Sequence, residues 1–243
     1  MASTDSARKG GALALRILVT AIAIGAWFGT QALIGSRSLP SSGIGDGLLT
    51  LTAPLNHYLV QHPGAANALL IVSSGFVDLM ALFLFGEWIV GRSVRPLLGL
   101  AILLGLRQLM EALCALPAPQ NIIWHYPGFP SLLVTYNVAN DFFFSAHTSI
   151  AVLAATEVAR LRRRWLTMLA GIVVVFEAVA VLALRAHYTM DVFTAIVAAL
   201  YVAHLSDRLS PALDRRFARY LSPAPSPPAG GTQPTCPSPV SAN

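Results

Sequence analysis

His147, His187 and Asp191 are the residues whose types and spacing point most directly to chemistry. Four positions separate His187 from Asp191, so on a helix they share a face, with the carboxylate one turn, about 5 Å, from the imidazole. A carboxylate there accepts one ring N–H, fixes the tautomer, and leaves the other nitrogen free as nucleophile or base. His147 opens a second apolar stretch at the same expected depth. Both histidines are expected in first turns of helices, where unpaired backbone N–H groups and the positive end of the helix dipole favour anions. Arg185, two residues before His187, is a further candidate contact for phosphate oxygens. A single histidine at a helix end is ordinarily only interfacial. A His-x-x-x-Asp pair with a second histidine at the same depth suggests a phosphoester site.

The elements that must position these residues are membrane spans. Of the 243 residues, 55% are hydrophobic and 11% charged, with a mean hydropathy of +0.64. Soluble domains carry roughly a quarter charged residues. About 20 apolar residues cross a bilayer core of ~30 Å, and six stretches qualify as candidates: 13–34, 66–90, 96–116, 146–161, 165–185 and 188–207. The fourth is short and needs neighbours to shield its ends. The expected fold is therefore all-α, a polytopic membrane protein of six spans with both termini cytoplasmic. Residues 1–12 form an N-terminal segment, 13–208 the membrane domain, and 209–243 a basic segment with a Pro-rich disordered tail. The first span is expected to be retained rather than cleaved as a signal peptide, since no small-residue cleavage pattern follows it.

Orientation follows from the basic residues. Arg8, Lys9, Arg16, Arg92, Arg95, Arg160, Arg162, Arg163, Arg164, Arg208, Arg215, Arg216 and Arg219 are 13 of the 16 Lys and Arg, and all fall on one side of a six-span chain. Arg37 alone falls in an opposite loop. The positive-inside rule puts the rich side in the cytoplasm, and so the histidine site on the periplasmic, extracellular or lumenal side. The same sorting accounts for the pI near 9.7 without nucleic acid. Cys114 and Cys236 offer no disulfide framework, and no zinc spacing or glycine-rich nucleotide loop occurs. The outer loop 117–145 is rich in aromatics, including Trp124, Tyr126, Phe129, Tyr136 and Phe142 to Phe144. These suit the headgroup belt first, and the mouth of a lipid site second.

Ionisable residues within spans mark a function or a buried partner. Arg107 is placed to bind phosphate or to pair with Glu111 one turn later. Glu111 is equally open as a proton relay or substrate contact. Asp78 and Glu177 are expected to pair structurally. His57, His62, His125 and His204 are expected to lie outside the site.

Ser145-Ala146-His147-Thr148, followed about 40 residues later by His187-Tyr188-Thr189-Met190-Asp191-Val192, resembles the two core motifs of the sphingomyelin synthase-like family. That family is a branch of the type-2 phosphatidate phosphatase superfamily. Asn140-Asp141-Phe142-Phe143-Phe144 extends the first motif, and Arg107 with Leu116-Pro117-Ala118-Pro119 resembles a third. Ala146 and Asn140 stand where the family has glycine. The Lys-containing motif of the wider superfamily is missing, and Val181 stands where that superfamily has arginine.

The resemblance implies a phosphohistidine mechanism without a metal or other cofactor. His187 would be the nucleophile, Asp191 would orient it, and His147 would be the general acid and then base, with Asp141 supporting from the loop. The implied partners are a phospholipid donor and either a lipid alcohol (ceramide or diacylglycerol) or water as acceptor, within a bilayer; self-association is left open. Transfer and hydrolysis use the same site. A transporter or scaffold would instead spread its polar residues through the bilayer midplane.

Overall fold

The computed structural model describes residues 44–91, 93–114, 116–134, 136 and 142–221 (side chains to 216), with Ile22 and Gly29 besides. The expected span 13–34 (Ile22 and Gly29 apart), Asp141 and the tail from 222 lie outside the described residues. The chain divides into two units, Met1–Gly45 and Asp46–Asn243, and the architecture below is that of the second.

The elements in order are α1 (Gly47–Leu51), α2 (Ala53–Gln61), α3 (Pro63–Val90), α4 (Arg95–Leu113), α5 (Ala146–Arg160), α6 (Arg164–Ala183) and α7 (Thr189–Leu221). No strand occurs among the described residues. Proline stands in the first turn of α2, α3 and α4, where its missing N–H costs no intrahelical bond. Asp46 and Ser145 cap α1 and α5 through their side chains.

Among the described residues, α3, α4, α6 and α7 are long and apolar enough to cross a membrane, which makes this an integral membrane protein. α5, expected as a span, has 15 residues and rises about 22 Å, short of ~30 Å of hydrocarbon. Its neighbours compensate. α5 packs against α3, α4, α6 and α7, and every residue from His147 through Ala154 is buried. A helix buried all round needs no lipid-facing surface.

Several boundaries differ from expectation: α3 begins at Pro63 rather than 66, and α6 ends at Ala183 rather than 185. α4 ends at Leu113, where the chain turns extended at Cys114 ahead of Pro117. α7 does not stop at 207 but continues to Leu221, with Pro211 inside it. Its continuation is held at the basic end, where Asp214 accepts the Ser93 hydroxyl at 2.9 Å and the Val94 N–H at 2.7 Å.

The basic end is also where sequence reasoning missed the acids. Glu157, 4% exposed, receives Arg95 at 2.6 Å, and Asp207 pairs with Arg160. Arg95 opens α4 and Glu157 lies near the end of α5, so the two helices run antiparallel. Arg107 and His147 therefore lie toward the opposite end from this cluster.

Candidate active site

The turn between α6 and α7 carries His187. α6 closes with a Schellman motif: the Ala186 N–H donates to Val181 O at 2.9 Å and the Arg185 N–H to Leu182 O at 3.1 Å. Arg185 occupies its left-handed position with φ of 57°, a conformation ordinarily taken by glycine. Its guanidinium donates to Leu49 O at 2.9 Å, and it does not line the cavity described below.

His187 precedes α7 rather than lying in its first turn. Contact with Asp191 comes from the cap of the helix, not from a shared helical face. With Thr189 as the first helical residue, Asp191 is the third, and its Oδ2 accepts the Tyr188 N–H at 2.9 Å, as the acid of a capping box does. The same oxygen accepts from His187 Nδ1 at 3.3 Å. Asp191 is wholly buried and His187 is 5% exposed. A carboxylate at Nδ1 favours the neutral tautomer with its hydrogen on that nitrogen, the form whose Nε2 has a lone pair.

His147 stands in the first turn of α5 as expected. Ser145 Oγ accepts the Thr148 N–H at 3.3 Å, and the imidazole lies edge-on to Trp124 with centroids 5.3 Å apart. Its Nε2 is buried without a hydrogen-bond partner among the described residues. Phe143, just upstream, has φ of 127°; this bend buries Phe142 and Phe144 on either side of it, at a cost in backbone strain.

A cavity of about 390 Å³ brings these parts together. His147, His187, Arg107 and Gln108 supply its polar wall; Trp124, Phe142, Leu133 and Val134 are among its apolar residues. Arg107 donates to Phe144 O at 3.2 Å and pairs with Glu111 at 2.7 Å. Of the residues singled out from sequence, His147, His187 and Arg107 line the cavity. Asp191 stands behind His187, and Glu111 behind Arg107. His57 bonds Gln61, His62 bonds Tyr58 O, and His125 bonds Asn67, all away from the cavity.

Trp124, placed with the outer-loop aromatics as headgroup belt first and lipid mouth second, lines the cavity. Two contributors went unread in the sequence. Gln108 also lines the cavity. Asp46 is the other: besides capping α1, its Oδ2 accepts the Thr189 N–H at 2.6 Å, and its Oδ1 accepts the Thr189 hydroxyl. Burial raises the Asp46 carboxyl, but the hydrogen bonds from Thr189, Leu49 and Leu48 outweigh it and hold the group below the ordinary carboxylate range. The free donors expected at the start of α7 are thus occupied by carboxylates, Thr189 by Asp46 and Tyr188 by Asp191. Asp78 and Glu177 do pair structurally: Asp78 accepts the Ser131 hydroxyl and the Leu132 and Leu133 N–H groups, and Glu177 accepts the Ser73 hydroxyl at 2.6 Å.

Fold and site together define an all-helical integral membrane protein with two buried imidazoles and an arginine on one largely apolar cavity. The chain belongs to the AtPDCT1/2 family, whose sequence pattern matches residues 46–208. It is 25% identical over 187 residues to phosphatidylcholine:diacylglycerol cholinephosphotransferase 1 of Arabidopsis thaliana, covering 77% of this chain and 60% of that one. It is 23% identical over 157 residues to phosphatidylcholine:diacylglycerol cholinephosphotransferase 2 of the same plant, covering 65% of this chain and 52% of that one. The chain thus spans less than two thirds of the length of either relative. No solved structure is significantly similar to it.

Proposed function

We propose that this protein is a lipid headgroup phosphotransferase that moves phosphocholine from phosphatidylcholine to diacylglycerol through a phosphohistidine on His187. The observation that carries the reading is the contact of His187 Nδ1 with the buried Asp191 at 3.3 Å, beside a cavity that His147 also lines. The names of the two relatives favour diacylglycerol over ceramide as acceptor. The active site opens on the non-cytoplasmic side of a six-span chain, following the asymmetry of its basic residues.

In the first displacement His187 Nε2 attacks phosphorus, and the bond to the glycerol oxygen breaks as that oxygen takes a proton from His147. Asp191 stabilises the positive charge that develops on His187. In the second, an acceptor hydroxyl gives its proton to His147 while its oxygen forms a new P–O bond and the P–N bond breaks. Arg107 holds the phosphate oxygens throughout. The bond broken and the bond made are of one kind, so the exchange is close to isoenergetic and mass action sets its direction. The mechanism therefore sits within the chemistry of the sphingomyelin synthase-like branch with a glycerolipid acceptor.

The test uses purified protein with headgroup-labelled phosphatidylcholine and a diacylglycerol of distinguishable chain length. Label in a phosphatidylcholine bearing the acceptor's chains is expected, and His187→Ala should abolish it. Label released only as water-soluble phosphocholine would make the protein a hydrolase, and full activity in His187→Ala would overturn the mechanism.

A further inference from the structure

Asn67, Ser74 and Asp78 lie seven and four residues apart on α3, hence on one face of that helix. All three hold the loop that follows α4. His125 Nε2 donates to Asn67 Oδ1 at 2.7 Å, Ser74 and Tyr136 share a hydrogen bond between hydroxyls, and Asp78 takes the strongest share. Both Asp78 oxygens accept from Ser131 Oγ, at 3.0 and 2.9 Å; the Leu132 and Leu133 N–H groups follow at 2.8 and 3.2 Å. Ser131 Oγ in turn accepts the Val134 N–H at 3.1 Å.

The loop descends far along the helix to meet Asp78, about 22 Å from Pro63 at 1.5 Å per residue. Non-helical backbone at that depth needs internal partners for its N–H groups, and Asp78 provides them. The residues so held form one side of the cavity. Leu133 and Val134 line it, and Tyr136 packs on Trp124 with centroids 5.4 Å apart, Trp124 in turn meeting His147.

We infer that Asp78 is a positioning residue for acceptor choice: by pinning Ser131–Leu133 it holds an apolar wall beside His147 that admits a lipid alcohol and keeps water from the phosphoenzyme. The inference rests on the phosphotransfer reading above. Water and an alcohol compete for the same step. Either gives its proton to His147 as its oxygen joins phosphorus and the bond to His187 breaks. Exclusion of water from the site decides between them.

The experiment compares wild type, Asp78→Asn and Ser131→Ala on headgroup-labelled phosphatidylcholine with diacylglycerol, counting label in new lipid and in water-soluble phosphocholine. Asp78→Asn replaces one acceptor oxygen with a donor facing N–H groups. Ser131→Ala leaves Asp78 its two backbone donors and keeps the test available if the first variant fails to fold. The ratio of transfer to hydrolysis is expected to fall about tenfold in Asp78→Asn, equal to roughly 1.4 kcal/mol, and less in Ser131→Ala. A purely structural role would lower both products together and leave the ratio unmoved, which would overturn the inference alone. Wild-type protein that makes no labelled lipid would overturn the parent reading and this inference with it.

Discussion

The carboxylate of Asp46 caps Thr189 from 143 residues away, accepting its backbone N–H at 2.6 Å and its hydroxyl as well. Tyr188, just ahead of α7, has no side-chain oxygen able to fold back on the first turn. An acid from the segment before α1 does so instead. The site pair His187 and Asp191 is thereby braced from outside its own helix.

This relationship carries a pH signature. The Asp46 carboxyl lies below its ordinary range when folded, so its contribution to stability is complete above the unfolded pKa and is lost as pH falls through the folded one. Wild type should lose thermal stability toward Asp46→Asn below about pH 4, the unfolded carboxylate value. Asp46→Ala should cost about 1 kcal/mol near neutrality, as loss of a helix cap does. Thermal unfolding in detergent across pH reads both effects, and parallel curves for wild type and Asp46→Asn would refute the assignment.

Asp191→Asn is expected to lower headgroup transfer by roughly 10²–10⁴-fold, because an amide in place of the carboxylate can stabilise the wrong tautomer of His187. Binding of phosphatidylcholine should change little. Alkaline quench, which phosphohistidine survives, should trap phosphoenzyme in wild type given phosphatidylcholine without acceptor, and much less in His147→Ala or Asp191→Asn. Undiminished phosphoenzyme in Asp191→Asn would overturn the role given to Asp191.

Arg107 and Arg185 should separate cleanly. Arg107 lines the cavity, so Arg107→Lys, which loses the planar fork, should lower kcat/KM by about tenfold to a hundredfold, the range of a charge-assisted hydrogen bond. Arg185 occupies a left-handed helix terminus and reaches Leu49 O. Arg185→Gly suits that backbone and should retain kcat/KM within about threefold, less than one hydrogen bond's worth. A larger loss in Arg185→Gly than in Arg107→Lys would return Arg185 to the phosphate.

At the far end of the bundle, Glu157→Gln strips Arg95 of a partner that is 4% exposed while Arg95 itself is 25% exposed. Breaking a buried pair costs about 3–5 kcal/mol, and the partial exposure of Arg95 puts the expected loss near the bottom of that range. Transfer per folded molecule should be unchanged, since this cluster lies away from the cavity. A fall in specific activity matching the loss in stability would instead tie the two ends together.

The apolar runs determined by themselves that this is a helical membrane chain, and they located the membrane-crossing parts of α3 to α7 but not the continuation of α7 past 207, because lipid admits only backbone whose polar groups are satisfied internally. The motif residues were legible for a similar reason: a buried histidine or aspartate is too costly to stand without a role or partner. Tertiary structure decided the rest. Sequence spacing put His187 and Asp191 on one helical face, whereas the contact is made across the cap of α7. Arg185 looked like a phosphate ligand two residues from His187, but its left-handed backbone turns it toward Leu49. The second role of Asp46 and the hold of Asp78 on Ser131 to Leu133 lay beyond any local pattern. Both join segments more than 50 residues apart, and such pairings are fixed only when the helices pack and each buried polar group must find a partner.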